Sequence, residues 1–221
     1  EISRLGETFN LMSERLETMD AMKSEFVSNA SHELKTPLSS MKILAQSLIY
    51  DEKADKKVYR EFLTDIDAEM DRLNDIISDL LLLTKIENDD RALNLAMISF
   101  SDLVNKVAIS LRPIAQTKKI RLKTEIVDEI TLLADGLKLR IAVVNLIENA
   151  LKYTDDKGKV DVRVYKKGET ANMEVKDTGV GINKDFIPKI FEPFTQEYNS
   201  LTDKYGGTGL GMAITKHLVE L

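Results

Sequence analysis

Apolar residues recur at alternating three- and four-residue steps from Ile2 through Leu5, Phe9, Met12, Leu16, Met19 and Met22 to Phe26, with one slip between Met19 and Met22. That period is a coiled-coil seam, and a helix carrying it needs a partner. The helical pattern continues through Ala30, Leu34, Pro37, Leu38, Met41, Leu44, Ala45 and Leu48, which share one sector when each residue advances by about 100°. A polar break at Asp51 to Lys57 ends it. A second helix then carries Phe62, Ile66, Leu73, Ile77 and Leu80 on one stripe, with acidic residues on the other. Two such helices form an antiparallel hairpin. One hairpin cannot cover both stripes, so two chains making a four-helix bundle are the economical solution and a homodimer is expected.

Past Asn88-Asp89-Asp90 the period changes. Strand-like runs occupy Leu93 to Met97, Ile120 to Val127, Ile130 to Ala134, Val160 to Lys166 and Ala171 to Lys176, and helical patterns occupy Ser101 to Lys118, Gly136 to Lys152 and Gly209 to Leu221. The sequence predicts an α+β domain here, with a kink at Pro113.

Composition narrows the chemistry. The chain of 221 residues has 43% hydrophobic and 31% charged residues, a globular balance with room for one large or two ordinary domains. Without cysteine, and with only two histidines, it offers neither a disulfide framework nor a zinc centre, so any metal is expected to be oxygen-bound and magnesium-like. A net charge of -6 disfavours nucleic acid as a partner. No stretch approaches the roughly 20 apolar residues that span a bilayer.

His32 lies near ~240° on the first helix, opposite the apolar sector, and so faces water. A lone surface histidine is ordinarily just solvated. Here Glu33 follows it, Thr36 stands one turn on, and Pro37 distorts the helix at a cost of roughly 3 kcal/mol. Base, nucleophile and hydroxyl are expected to converge, forming a site offered to another domain. His217, in the last helix, has no partner in motif spacing and is taken as structural.

In the helix from Gly136, Asn145, Asn149, Lys152 and Tyr153 fall on one face, while Val143, Ile147, Ala150 and Leu151 fall roughly opposite. Two asparagines in mid-helix are poor choices for a merely solvated face, and their amide oxygens suit magnesium beside a phosphate-neutralising lysine. Asp177-Thr178-Gly179-Val180-Gly181-Ile182 follows a strand, with glycines that let the backbone approach a flat ligand. Phe191-Glu192-Pro193-Phe194 precedes a polar stretch, Thr195 to Tyr205, that closes at Gly206-Gly207-Thr208-Gly209-Leu210-Gly211 on the head of the last helix, as a hinged lid would. The spacing fits neither a P-loop nor a Rossmann turn, and no His-Arg-Asp catalytic loop exists.

The string from Phe26 to Leu38 resembles the H box of dimeric sensor histidine kinases, and the four later motifs resemble, in order, the N, G1, F and G2 boxes of the ATP-binding fold shared by histidine kinases, type II topoisomerases, mismatch-repair ATPases and a chaperone family. Glu1 to Asn10 is also similar to the second helix of a HAMP signal-relay domain. The resemblance implies a coiled-coil signalling helix over 1–21, a dimerisation and histidine-phosphotransfer domain over 22–88, and an ATP-binding α/β sandwich of Bergerat type over 89–221, its last strand pair missing beyond Leu221. It implies the cytoplasmic portion of a membrane sensor with upstream transmembrane segments, and a response-regulator receiver domain as partner.

Residue by residue, the resemblance implies that His32 takes the phosphoryl group of ATP, with Glu33 as proton acceptor and Thr36 positioning water for the reverse reaction. Asp177 would bind the adenine amino group, Gly179 and Gly181 would shape its pocket, and Asn149, helped by Asn145, would hold Mg2+. Lys152 and Tyr153 would contact phosphate and ribose, Phe191 and Phe194 anchor the lid, Gly207, Gly209 and Gly211 free it, and Lys204 reach the phosphates. Met212 stands where the family has leucine, a volume-conserving exchange. Two alternatives stand beside this reading: a histidine-independent ATPase of the same fold, and a non-catalytic dimeric signalling module.

Overall fold

The computed structural model describes residues 2–50, 55–88, 93–197 and 207–221. Its contacts divide the chain into two units, Glu1–Leu80 and Leu81–Leu221.

In the first unit, helix α1 runs Ile2–Tyr50 and helix α2 runs Lys56–Asn88. Asp55 starts α2 as an N-cap: its Oδ1 accepts the N–H groups of Lys57 (2.8 Å) and Val58 (2.9 Å). Across the connection the Tyr59 hydroxyl donates to the Leu48 carbonyl at 3.5 Å, closing a helical hairpin. Of the expected apolar sector on α1, Pro37 is buried and Ala30, Leu34, Met41, Leu44, Ala45 and Leu48 are half-buried, while Leu38 stays 59% exposed. α1 continues through Pro37 without a break, although the ring leaves the Glu33 carbonyl without its helical donor.

The stripe on α2 departs from expectation at one place. Ile76 is fully buried, and Ile77, placed on the stripe by its sequence pattern, is exposed together with Leu63 and Met70. Neighbouring residues on a helix diverge by about 100°, so only one of the pair can face inward. Leu63, Met70 and Ile77 recur at seven-residue spacing and form a second apolar seam that one chain leaves in water.

The second unit contains β1 (Leu95–Ser99), α3 (Phe100–Thr117), β2 (Arg121–Ile126), β3 (Thr131–Asp135), α4 (Gly136–Lys152), β4 (Lys159–Lys167), β5 (Thr170–Asp177) and α5 (Gly211–Glu220), with a 3-10 turn at Ile187–Lys189 that has no periodic signal. Each predicted strand and helix of this half is present within about two residues of its expected ends. β1 pairs antiparallel with β3, and a separate sheet has the order β2-β4-β5, parallel then antiparallel.

Strand β4 alternates strictly: Val160, Val162 and Val164 are buried, and Lys159, Asp161 and Arg163 point the other way. The valines join Val104, Val107 and Leu111 of α3 and Val143, Ile147 and Leu151 of α4 in one core, giving a helical layer on one face of the sheet. The opposite face carries exposed ion pairs, Arg121 with Asp161 and Arg163 with Glu125, which keep it soluble but stabilise it little. Register matters for function: Asp177 pairs with Val160, so its side chain emerges on the helix-covered face at the end of β5.

Helix α3 runs unbroken through Pro113 and ends in a full Schellman motif. The Ile120 N–H donates to the Ala115 carbonyl (2.8 Å) and the Lys119 N–H to that of Gln116 (2.9 Å), with Ile120 and Ala115 both buried. Lys119 therefore sits at φ 56°, a left-handed position that glycine takes without steric cost. We expect Lys119→Gly to stabilise the protein by about 0.5 kcal/mol or more, the relief of strain exceeding the added freedom of the unfolded chain. Chemical denaturation reads this directly, and a lower midpoint would contradict it.

Candidate nucleotide site and phospho-acceptor helix

On α1, His32 is exposed, Glu33 half-buried and Thr36 exposed. The Thr36 hydroxyl donates to the His32 carbonyl at 3.1 Å, and Ser31 folds back likewise onto Val27 (2.7 Å). No hydrogen bond joins the His32 ring to Glu33 or Thr36 among the described residues. The sequence brings the three close along the chain, but successive helical side chains diverge, and the threonine hydroxyl is engaged by its own backbone. What α1 presents is an imidazole open to a second reactant.

In the second unit, α4 carries the amide stripe. Asp135 caps its start, Oδ1 accepting from Leu137 (3.0 Å) and Lys138 (3.1 Å) and Oδ2 from the Asn94 N–H (3.1 Å). Burial pushes the Asp135 carboxyl up, but the Lys138, Asn94 and Leu137 N–H groups and the Lys138 charge together hold it below its ordinary range. At the other end of α4, Asn145, Asn149, Lys152 and Tyr153 are all half-buried. The Lys152 ammonium lies 5.7 Å from the centroid of the Tyr153 ring, and burial raises the phenol's pKa.

The loop after β5 is locked to that end. Asp177 Oδ1 accepts the Gly179 N–H at 2.8 Å, and the Tyr153 carbonyl accepts the Val180 N–H at 3.2 Å. Gly179 packs directly on the Tyr153 carbonyl, where an added Cβ would stand 2.3 Å from the oxygen. Gly181 differs: it needs a positive φ (73°), but a Cβ there would meet nothing within 4 Å.

Both feet of the expected lid reach the same place. Phe194, at φ 59°, donates its N–H to the Gly209 carbonyl (3.1 Å), and Gly209, at φ 69°, packs so tightly that a Cβ would sit 2.8 Å from the Phe194 carbonyl carbon. Gln196 Nε2 donates to the Gly207 carbonyl (3.0 Å). Asn145 Nδ2 donates to the Gly211 carbonyl (3.3 Å), and a Cβ on Gly207 would lie 3.3 Å from the Lys152 ammonium. Asn145, Asn149, Lys152, Tyr153, Asp177, Gly179, Gly207, Gly209 and Gly211 thus form one cluster. Phe191 stands at its margin, 43% exposed, with the Lys216 ammonium 5.8 Å from its ring centroid. Lys204 and Gly206 lie outside the described residues.

Sequence reasoning missed Lys118, whose ammonium donates to the carbonyls of Leu151 (2.9 Å), Lys152 (2.7 Å) and Thr154 (3.2 Å). It also missed Gln196 and the buried Thr154, whose hydroxyl donates to the Ala150 carbonyl at 2.6 Å. A lysine at the end of a helix has no local signal that it will cap a different helix.

Comparison with known proteins gives the class. Residues 22–89 match the His Kinase A (phospho-acceptor) domain, and residues 134–221 match the histidine kinase-, DNA gyrase B-, and HSP90-like ATPase. The chain is 35% identical over 210 residues to the circadian input-output histidine kinase CikA of Synechococcus elongatus, covering 91% of this chain and 27% of that protein. It is 32% identical over 200 residues to the sensor-like histidine kinase SenX3 of Mycolicibacterium smegmatis, covering 90% of this chain and 52% of that one. The solved histidine kinase AdeS of Acinetobacter baumannii shares the fold, with TM-score 0.64 at 23% identity over 86% of each chain. Full-length ShkA in complex with AMPPNP has TM-score 0.60 at 26% identity over 87% of this chain and 40% of its own. The chain is homologous to the sensor histidine kinases, with a helical phospho-acceptor hairpin followed by an α/β ATPase domain, and it spans 27% and 52% of the lengths of the first two relatives.

The two G1 glycines are expected to respond unequally to substitution. Gly179→Ala drives a methyl into the Tyr153 carbonyl and should destabilise by about 2 kcal/mol or more, whereas Gly181→Ala meets only the left-handed backbone cost of about 1 kcal/mol. Thermal unfolding of the two variants side by side checks the order; equal losses would mean that the Gly179 contact yields easily.

Proposed function

We propose that this chain transfers the γ-phosphoryl group of ATP to His32 and passes it on to the receiver aspartate of a response regulator. The observation that carries the reading is the Asn145 amide bound to the Gly211 carbonyl, which closes the foot of the lid onto the amide stripe of α4. A phospho-acceptor match ahead of the ATPase match argues against a histidine-independent ATPase, and the complete cluster of amides, Asp177 and lid glycines argues against a merely structural module.

The steps follow from the residues. Nε2 of His32 attacks the γ-phosphorus in line as the bond to the β–γ bridging oxygen breaks and ADP leaves. Glu33, once turned toward the ring, accepts the Nδ1 proton as the bond from Nε2 to phosphorus forms, which discharges the imidazolium and leaves a neutral ring in the phosphohistidine. Asp177 accepts a hydrogen bond from the adenine amino group over the Gly179 and Gly181 turn, while Lys152 and Lys204 neutralise phosphate charge and Tyr153 meets the ribose. Phe191 and Phe194 support the lid, and Gly207, Gly209 and Gly211 let it close. Thr36, on releasing the His32 carbonyl, orients water for dephosphorylation of the partner.

The site suits Mg2+. Asn145 Nδ2 is already committed to Gly211, which leaves its Oδ1 as an acceptor, and the Asn149 amide has no hydrogen-bond partner among the described residues. No group of three or more His, Cys, Asp or Glu gathers as a metal site among those residues, so Asn149 and Asn145 would hold the ion while phosphate and water complete its shell. Bound there, it would offset the charge on the triphosphate.

The active form in this reading is a homodimer whose second copy covers the Leu63, Met70 and Ile77 seam, giving a four-helix bundle. No described helix is long and apolar enough to cross a membrane. The HAMP-like start at Glu1 to Asn10 supports transmembrane segments upstream, with this chain on the cytoplasmic side.

Incubation with radiolabelled ATP should give an acid-labile protein label that His32→Gln abolishes; undiminished label in that variant refutes the assignment. Light scattering should give the mass of a dimer, and Leu63→Glu combined with Met70→Glu should shift it to the monomer, because two carboxylates cannot be desolvated in the seam. A double variant that stays dimeric would relocate the interface.

A further inference from the structure

The end of α4 is held from outside by one residue. A helix leaves its last four carbonyls without intrahelical donors, and here each of them has a partner. The Asn149 carbonyl takes the Tyr153 N–H (3.0 Å) and the Ala150 carbonyl takes the Thr154 hydroxyl (2.6 Å). Those of Leu151 and Lys152 both take the Lys118 ammonium, which also reaches the Thr154 carbonyl. Three donors of one ammonium thus converge on a single turn, at the negative end of the helix dipole.

Lys118 is itself fixed. It is the C-cap of α3, clamped by the Schellman motif that follows, and its carbonyl accepts the Lys157 N–H at 3.1 Å. The turn it grips contains Lys152 and leads into Tyr153, whose carbonyl in turn holds Val180 and packs under Gly179. A displacement of this turn therefore moves the phosphate and ribose contacts of α4 and the adenine loop together.

We propose that Lys118 is a positioning residue for the nucleotide site, setting the Lys152–Tyr153 end of α4 and, through the Tyr153 carbonyl, the Asp177–Gly181 loop. This rests on the reading of that cluster as an ATP site. The role is in binding ATP, since His32 lies on another element and does the attacking.

The test uses the whole 221-residue chain, with Mg-ATP affinity from calorimetry and KM and kcat from labelling of His32. Lys118→Met should weaken affinity and raise KM about tenfold, with kcat changed less than about threefold. Lys118→Arg should fall between, about threefold weaker, because a planar fork keeps the charge but cannot set three donors on one turn. The control is Val162→Ala, a core truncation in β4, expected to lower the melting temperature while leaving affinity as in wild type. Lys118→Met folded and binding with wild-type affinity overturns the proposal. If that variant does not fold, wild-type affinity in Lys118→Arg does so. A Val162→Ala chain that loses affinity as much as Lys118→Met also overturns it, because the effect would then be global stability. A wild-type chain that binds no Mg-ATP, by contrast, defeats the reading of the site itself.

Discussion

The satisfied carbonyls at the end of α4 are the constraint on which the ATPase half depends. Helix ends are ordinarily finished by water or by a glycine that turns the chain away, and both leave the last turn free to shift. Here the last turn packs beside α3, the loop after β5 and the foot of α5, with Ala150 and Leu151 buried, and its carbonyls are met by a hydroxyl, an ammonium and a backbone N–H. An unmet buried carbonyl costs roughly 1–3 kcal/mol, so the partners reinforce one another and only one arrangement satisfies them all. The same turn is where Lys152 and Tyr153 point into the cluster, so the requirement of a closed hydrogen-bond set and the requirement of a fixed ligand site are met by the same bonds.

The phospho-acceptor hairpin obeys a different logic. Its histidine is exposed, and its helices carry apolar residues that one chain leaves uncovered. Along α1 the exposed His32 and the apolar sector occupy opposite sides, while on α2 the buried Ile76 and the exposed Leu63, Met70 and Ile77 divide the apolar residues between an inner and an outer seam. In the proposed dimer a second copy would cover the outer seam, which lies on α2, while His32 lies on α1. Pro37 is buried in the same helix, and by withholding a donor from the Glu33 carbonyl it loosens the backbone beside His32.

Periodicity carried most of this fold. The alternation of Val160, Val162 and Val164 and the stripe of Val143, Ile147 and Leu151 reflect burial on one face, which is why those elements could be located to within a residue or two from spacing alone. The site's glycines were legible as types but not in their separate reasons. Gly179 is needed for a close approach, Gly181 for a backbone angle and Gly209 for both, a distinction that requires knowing that Phe194 and Tyr153 lie alongside. Lys118 was illegible because its partners are 33 to 36 residues away, and Ile77 was misassigned because adjacent isoleucines leave the phase of a helix ambiguous.

Backbone strain recurs at Phe194, before the polar segment. Phe194 is a bulky residue held in the left-handed region, and Gly209 faces it in the same region, their backbones joined by a hydrogen bond at 3.1 Å. Left-handed geometry costs a side chain such as phenylalanine about 1–2 kcal/mol, so the pairing with Gly209 has to offset it, and that pairing is possible only because Gly209 lacks a Cβ. Phe194 and Gly209 therefore hold each other in an otherwise unfavourable shape. Two residues past Gly209, the Gly211 carbonyl is bound by Asn145, on the same helix whose far turn Lys118 secures, so the strained pair and the end of α4 belong to one hydrogen-bonded set.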